Sequence, residues 1–181
     1  MPKIKIAITG LPGSGKSTLL NKILDYLRSK GYIIGGIICP DVRDSRGYRV
    51  GFKIIDIFTG EEAWLAKKGY GVGPRIGKYI VNVNEAGKLG VKALTTALEK
   101  ADVIAIDEIG PMELLINDLK RMFIKVLKSD KHTIVVHHRR LSDSTFLTLL
   151  SNYRRYVVTR ENRQQLYYEI LTYIDSIINK E

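Results

Sequence analysis

One cysteine in 181 residues excludes an intrachain disulfide and leaves Cys39 as a small core residue. No apolar run approaches the ~20 residues that a membrane-spanning helix requires. Met1-Pro2-Lys3-Ile4 leads straight into a strand pattern, leaving no room for a signal peptide, and these absences together favour the cytoplasm. Internal repeats, low-complexity tracts and linkers are also lacking, so residues 1–181 are read as a single domain able to bury a proper core. His132, His137 and His138 have no further Cys or His at ligand spacing, which argues against a zinc-type site. Acidic residues are comparatively few: 19 Asp and Glu against 29 Lys and Arg give a formal net charge of +10. Such a surface attracts polyanions, nucleic acids and free nucleotides alike. The basic residues are scattered, however, and the local clusters, Arg139-Arg140 and Arg154-Arg155, lack the glycine- and aromatic-rich signature of an RNA-binding module. A solvated basic face is therefore favoured over a nucleic-acid interface, on a monomer or weak oligomer. The wealth of Ile, Lys, Arg and Tyr, with little Gln or Cys, points to a thermophilic source.

What is present begins at residue 10. Gly10-Leu11-Pro12-Gly13-Ser14-Gly15-Lys16-Ser17 fits the phosphate-binding pattern G-x-x-x-x-G-K-[ST] at every position. Residues 4–8 read as a strand entering this loop. Residues 18–27 read as a helix leaving it, with Leu20, Ile23, Leu24 and Leu27 on one face. Strand, glycine loop and helix N-terminus together form an anion site, because the glycines let N–H groups turn inward and the helix dipole adds positive potential. The pattern predicts nucleoside triphosphate binding. Lys16 reaches the β- and γ-phosphates, the Ser17 hydroxyl ligates Mg²⁺, and Thr18 continues the phosphate cradle.

The rest of the chain alternates strand and helix. Residues 33–39 form a short apolar run suited to a buried strand. Residues 48–66 differ: Val50, Phe52, Ile54 and Ile57 roughly alternate with polar residues before a turn at Thr59-Gly60, which reads as an inserted β-hairpin beside the site. Ile80, Val81 and Val83 suggest another strand after the glycine-rich residues 69–77. A helix over 85–100, weakened by Gly87 and Gly90, is followed by a strand over 103–106. A helix over 114–128, a strand over 133–136, a short helix over 142–150 and a strand over 156–158 come next. A long helix carrying Leu166, Ile170, Ile174 and Ile177 along one stripe closes the chain. The expected fold is α/β: a three-layer P-loop sandwich with a mainly parallel sheet, helices on both faces and the nucleotide at the carboxyl ends of the strands.

The strand over 103–106 delivers Asp107-Glu108-Ile109-Gly110 at its carboxyl end. A carboxylate there is the usual second metal-holding element beside a P-loop, so Asp107 joins Ser17 as the Mg²⁺ partner. Glu108 is placed to orient or deprotonate an attacking water. The Gly110 N–H is a candidate γ-phosphate contact, since glycine allows close approach. Phosphoryl transfer also calls for cationic charge on the transition state. Arg75 and Lys78, in the glycine-rich segment, are the candidates, with Arg43, Arg46 and Arg49 as rivals from the neighbouring loop. Asn162 and Arg163, at the start of the last helix, either approach the base or, with Thr159, cap that helix.

Asp107-Glu108-Ile109-Gly110-Pro111-Met112-Glu113 resembles the signature of the small "cancer-related" nucleoside-triphosphatase family of P-loop NTPases, in its thermophile-type branch. Gly51-Phe52 with Thr59-Gly60, Gly73-Pro74-Arg75-Ile76-Gly77-Lys78-Tyr79 and Thr159-Arg160-Glu161-Asn162-Arg163 resemble further landmarks of that family, in order and spacing. Asp41-Val42-Arg43 departs from its Glu-Val-Arg segment, and His137-His138 from a histidine preceded by a small residue. The resemblance spans nearly the whole chain. It implies Mg²⁺-dependent hydrolysis of several nucleoside triphosphates to diphosphate and phosphate with little base preference. Two other classes stay open on the motifs alone: a nucleoside, nucleotide or polynucleotide kinase, and a nucleotide-switched module binding RNA or protein. A guanine-specific GTPase is disfavoured, because no Asn-Lys-x-Asp motif follows the second metal-holding strand.

Overall fold

Alternation of apolar residues along each central strand sets the architecture. In β8 (Val103–Ile109), Ile104 and Ile106 face one core while Val103 and Ala105 face another. In β1 (Lys5–Gly10), Ala7 goes to the first core and Ile6 and Ile8 to the second, and β9 (His132–His137) divides Val135 from Ile134 and Val136 in the same way. Strands buried on both faces need helices on both faces. The structure, a computed structural model, describes residues 1–179. One face is covered by α1 (Lys16–Ser29) and α6 (Arg163–Ile178), whose Tyr26 hydroxyl and Asp175 carboxylate meet at 2.5 Å. The other carries α2 (Val83–Lys100), α3 (Pro111–Leu114), α4 (Asn117–Lys128) and α5 (Ser144–Leu150).

With β2 (Ile34–Ile38) and β10 (Arg154–Val158), the parallel part of the sheet has the order β10-β1-β9-β8-β2. The strand that enters the glycine loop and the strand that carries Asp107 are thus separated by β9. Beyond β2 the sheet continues antiparallel through β4 (Arg49–Asp56), β5 (Glu62–Lys68), β7 (Tyr79–Val81) and β6 (Arg75–Ile76), with β3 (Asp41–Arg43) paired to β4. The hairpin expected as an insertion beside the site is therefore a continuation of the central sheet. Ile37 and Ile38 of β2 pair with Asp56 and Ile55, so the hairpin takes up the edge hydrogen bonds that β2 would otherwise expose.

Local chemistry explains where the elements differ from the sequence reading. Val83, grouped there with Ile80 and Val81, is the first residue of α2, because Asn82 caps that helix by accepting the Glu85 N–H. The expected single helix over 114–128 is two: Pro111 at the first position starts α3, and α4 restarts after Ile116. Gly87 and Gly90, read as weak points of α2, are contact points. A methyl group at Gly90 would stand 2.7 Å from Leu119 of α4, and one at Gly87 3.1 Å from Ile116. Their lost propensity, ~1 kcal/mol each relative to alanine, is offset by close helix packing.

Gly36 is the tightest backbone approach in the sheet. It sits at φ 121° in β2, and a Cβ there would lie 1.9 Å from the Ala105 carbonyl oxygen of β8. Gly36→Ala is expected to lower stability by at least ~2 kcal/mol, measured by denaturant unfolding, since both the dihedral and the space forbid the methyl.

Candidate active site

The phosphate loop is built as its residue types require. Gly15, at φ 98°, turns the chain into α1, where the Leu19 N–H bonds its carbonyl at 2.9 Å. Lys16 Nζ donates to the carbonyl oxygens of Gly10 and Leu11 at 3.0 and 2.9 Å, which places the ammonium at the centre of the loop. The Ser14 N–H bonds the Leu11 carbonyl at 3.1 Å, while its buried hydroxyl has no partner. Such an orphaned polar atom fits a loop made for an oxyanion ligand. Leu11, Pro12 and Gly13 are exposed along its rim, and Ser17 and Thr18 are exposed at the start of α1.

Ser17 and Asp107, far apart in sequence, meet directly: the Ser17 hydroxyl donates to Asp107 Oδ2 at 2.6 Å. Two hard oxygen donors at a phosphate loop match the way Mg²⁺ binds, through one or two protein oxygens with phosphate and water completing the shell. Among the described residues no group of three His, Cys, Asp or Glu is arranged to hold a metal. Burial raises the Asp107 carboxyl, while the Ser17 hydrogen bond and Lys16 pull it back.

Glu108 owes its aim to a break in register. Asp107 pairs with Val136 and Ile109 with His137, so Glu108 is an extra residue between them. Bulges of this kind re-aim a side chain next to an active site. Burial, and then the charge of Asp107, raise the Glu108 carboxyl above its ordinary range, with Lys16 opposing. His137 and His138 follow at the end of β9. Thr9 anchors this strand end by donating to the His137 carbonyl at 3.0 Å. Burial lowers both imidazoles, and Lys16 adds to the effect on each. Both surroundings thus disfavour the charged ring.

The Gly110 N–H favours the charged form of the Glu113 carboxyl, on the third residue of α3, against the burial that raises it. Sequence reading passed over Glu113, although Pro at the first and Glu at the third helix position is a capping pattern that would have found it.

The other side of the loop is lined with arginine. A groove of about 680 Å³ runs from Gly10 to Ser14 along Arg139, Arg140, Arg155 and Arg160, with Leu11 and Val157 as apolar walls. Arg163 lies across Gly15, where a Cβ would stand 2.5 Å from its Nη1, and Arg160 Nη2 lies 3.9 Å from the corresponding point at Gly13. Among the described residues none of these five arginines has a carboxylate in ion-pair contact. Asn162 spends its side chain on the preceding loop: it accepts the Thr159 N–H at 2.8 Å and donates to the Val157 carbonyl at 3.0 Å. It does not cap α6 through its side chain.

Arg75 and Lys78 are not brought to the loop. They lie on β6 and in the β6–β7 turn, at the opposite edge of the sheet from β1. Arg75 Nη1 reaches the Gly69 carbonyl at 3.5 Å, and Lys78 lies over the Tyr79 ring. Their rivals Arg43 and Arg49 pair with Asp41 at 2.9 and 3.0 Å.

A parallel sheet with a glycine loop after β1, a serine–aspartate pair across the carboxyl ends and a glutamate beside it define a P-loop NTPase. The family described as NTPase matches residues 5–171, and the chain belongs to it. It is 41% identical to nucleoside-triphosphatase THEP1 of Thermofilum pendens over 94% of this chain and 95% of the relative. It is 42% identical to the protein of the same name from Ignicoccus hospitalis, over 94% and 96%. The crystal structure of THEP1 from Aquifex aeolicus superposes with a TM-score of 0.76 at 29% identity, covering 93% of this chain and 98% of that one. The solution structure of a human cancer-related nucleoside triphosphatase gives the same TM-score at 27% identity, covering 96% and 98%. Among the described residues no helix is long and apolar enough to cross a membrane.

The site carries a pH signature of its own. Burial, and then the Glu108 charge, push the Glu113 carboxyl from 4.5 up to about 8. Between those values the folded protein holds a proton that the unfolded chain has released, so this group's contribution to stability declines as pH rises through that window and levels off above it. The Tm of metal-free protein is therefore expected to fall more steeply from about pH 5 to about pH 8 than that of Glu113→Gln. Parallel curves for the two proteins would refute the assignment.

Proposed function

We infer that the chain is a Mg²⁺-dependent nucleoside triphosphatase that uses water as the phosphoryl acceptor. The observation that carries this reading is the 2.6 Å bond between Ser17 and Asp107 with Glu108 next in the chain. It sets a hard-cation site and a candidate base at one end of the phosphate loop. Lys16 and the loop amides hold the phosphates. Ser17 and Asp107 would hold Mg²⁺, which when bound neutralises phosphate charge. Glu108 accepts a proton from water, the water oxygen bonds to the γ-phosphorus, and the bond from that phosphorus to the β–γ bridging oxygen breaks. The bridging oxygen keeps the electron pair as part of the diphosphate, where Lys16 stabilises the developing charge.

Broad base use has support in the arginine-lined groove. Leu11 and Val157 offer apolar contact, and the Arg160 guanidinium offers a planar face on which any base can stack. The likeness to proteins named nucleoside-triphosphatase favours the hydrolase over the kinase and switch readings. The lone, half-buried Cys39 suits a reducing compartment, so we place the protein in the cytoplasm.

Phosphate release from ATP, GTP, CTP and UTP with Mg²⁺, in the absence of any acceptor, is expected to proceed at comparable rates. Negligible release that is rescued by added nucleosides, nucleotides or RNA would replace this reading with a kinase or a partner-activated switch. Lys16→Ala should abolish most nucleotide binding, whereas Glu108→Gln should keep binding and lower kcat by ~10²–10⁴. For Arg75 and Lys78 to supply transition-state charge, the glycine-rich segment has to close over the site. Their joint replacement by alanine decides this. A large loss of kcat upholds closure, and an unchanged kcat hands the role to Arg160 and Arg163, which already border the loop.

A further inference from the structure

Glu113 takes no part in the chemistry above, yet it lies next to it. Its side chain is 4% exposed. At the third position of α3 its carboxyl sits in the first turn of the helix, where the N–H groups of Gly110 and of Glu113 itself favour its charged form. That is the geometry of a helix cap, but a cap alone needs no burial against the catalytic strand. α3 packs on β8, β5 and α4, and the consequence appears at Gly110. The point where a Cβ of Gly110 would stand is 2.8 Å from Glu108 Oε1 and 2.9 Å from Glu113 Oε2. Two carboxyl groups thus converge on one small volume, which is open because residue 110 has no side chain. The backbone there is ordinary, at φ −136°, so glycine is required for space and not for its dihedral.

We propose that Glu113 is a positioning residue for Glu108: buried in the first turn of α3, its carboxyl braces the Glu108 carboxyl across Gly110 and holds it in the orientation that receives the water proton. A charged brace would repel Glu108. At neutral pH burial and the Glu108 charge keep the proton on Glu113, so it offers an O–H donor with no charge of its own. The groups facing it from neighbouring elements are Glu108 and Asp107 of β8 and the Cys39 thiol after β2, which burial holds protonated. This inference rests on Glu108 being the base, and Glu108→Gln tests that separately.

The test compares Glu113→Gln, Glu113→Leu and Gly110→Ala, each in steady-state hydrolysis of ATP with Mg²⁺ alongside ATP affinity measured by titration. Glutamine keeps the neutral donor and should retain kcat within ~3-fold, whereas leucine should lose ~10- to 100-fold with KM within ~3-fold, as expected when a reacting group is misplaced. Gly110→Ala keeps both acids in the chain, but its methyl would stand under 3 Å from an oxygen of each, so the carboxyls have to move apart. It should lower kcat by ~10-fold without weakening ATP binding. A leucine variant with normal kcat, or a glutamine variant as slow as leucine, would overturn the proposal, as would parallel losses of kcat and ATP affinity in all three. If leucine prevents folding, Gly110→Ala and the glutamine variant still decide. Full activity in Glu108→Gln would instead remove the base assignment beneath it.

Discussion

Asp107 lies on β8 and Ser17 opens the helix that follows β1, and these two strands never touch, since β9 stands between them, so the 2.6 Å bond from the Ser17 hydroxyl to the Asp107 carboxylate requires three strands to end at one level. The register provides this: Ile8 pairs with Val136, and Val136 with Asp107, across a single row. That row is fixed by burial on both faces. A slip of one residue in β9 would send Ile134 and Val136 to the wrong core and Val135 to the other. Hydrophobic packing well below the site thus determines whether a serine from a helix start and an aspartate from a strand end can meet.

The site has two electrical sides. Toward β10 the loop is bordered by arginines without carboxylate partners among the described residues, and toward β8 by the carboxyls of Asp107, Glu108 and Glu113. Lys16 lies between them, bonded to the loop's own carbonyls. A polyphosphate laid along this axis meets cationic charge from the protein at one end. At the other it meets acids whose repulsion only a metal ion or a proton can remove. The three carboxyls are all raised by burial, so their surroundings favour neutral or metal-bound forms over three free anions.

Much of this was legible in the sequence, for definite reasons. The loop from Gly10 to Ser17 is continuous, so its spacing alone specifies strand, turn and helix. The pair Ser17 and Asp107 was readable because a four-residue apolar strand leads into the acid. The outcome was different where function depends on elements meeting in space. Arg75 and Lys78 sit in a glycine-rich segment that made them candidates for transition-state charge, but strand pairing through β7 and β5 carries them to the far edge of the sheet. Arg160 reaches the loop only because β10 pairs with β1, a contact that no local pattern announces. Gly90 looked like a defect in a helix because its neighbour Leu119 lies on a different element. Glu113 could have been found as a cap from Pro111 and its spacing, but its burial beside Glu108 is a tertiary fact that no local pattern carries.

The open sheet leaves two borders, and each is blunted in its own way. β6 is two residues long, too short to template a partner strand. β10 is longer, but it begins with Arg154 and Arg155, both exposed. A second copy adding a strand there would set like charges against each other, and the same arginine that flanks the phosphate groove would stand in its way. Basicity on this border therefore serves colloidal ends as well as chemical ones: it draws small polyanions to the groove while discouraging ribbon-like self-assembly of the protein that binds them.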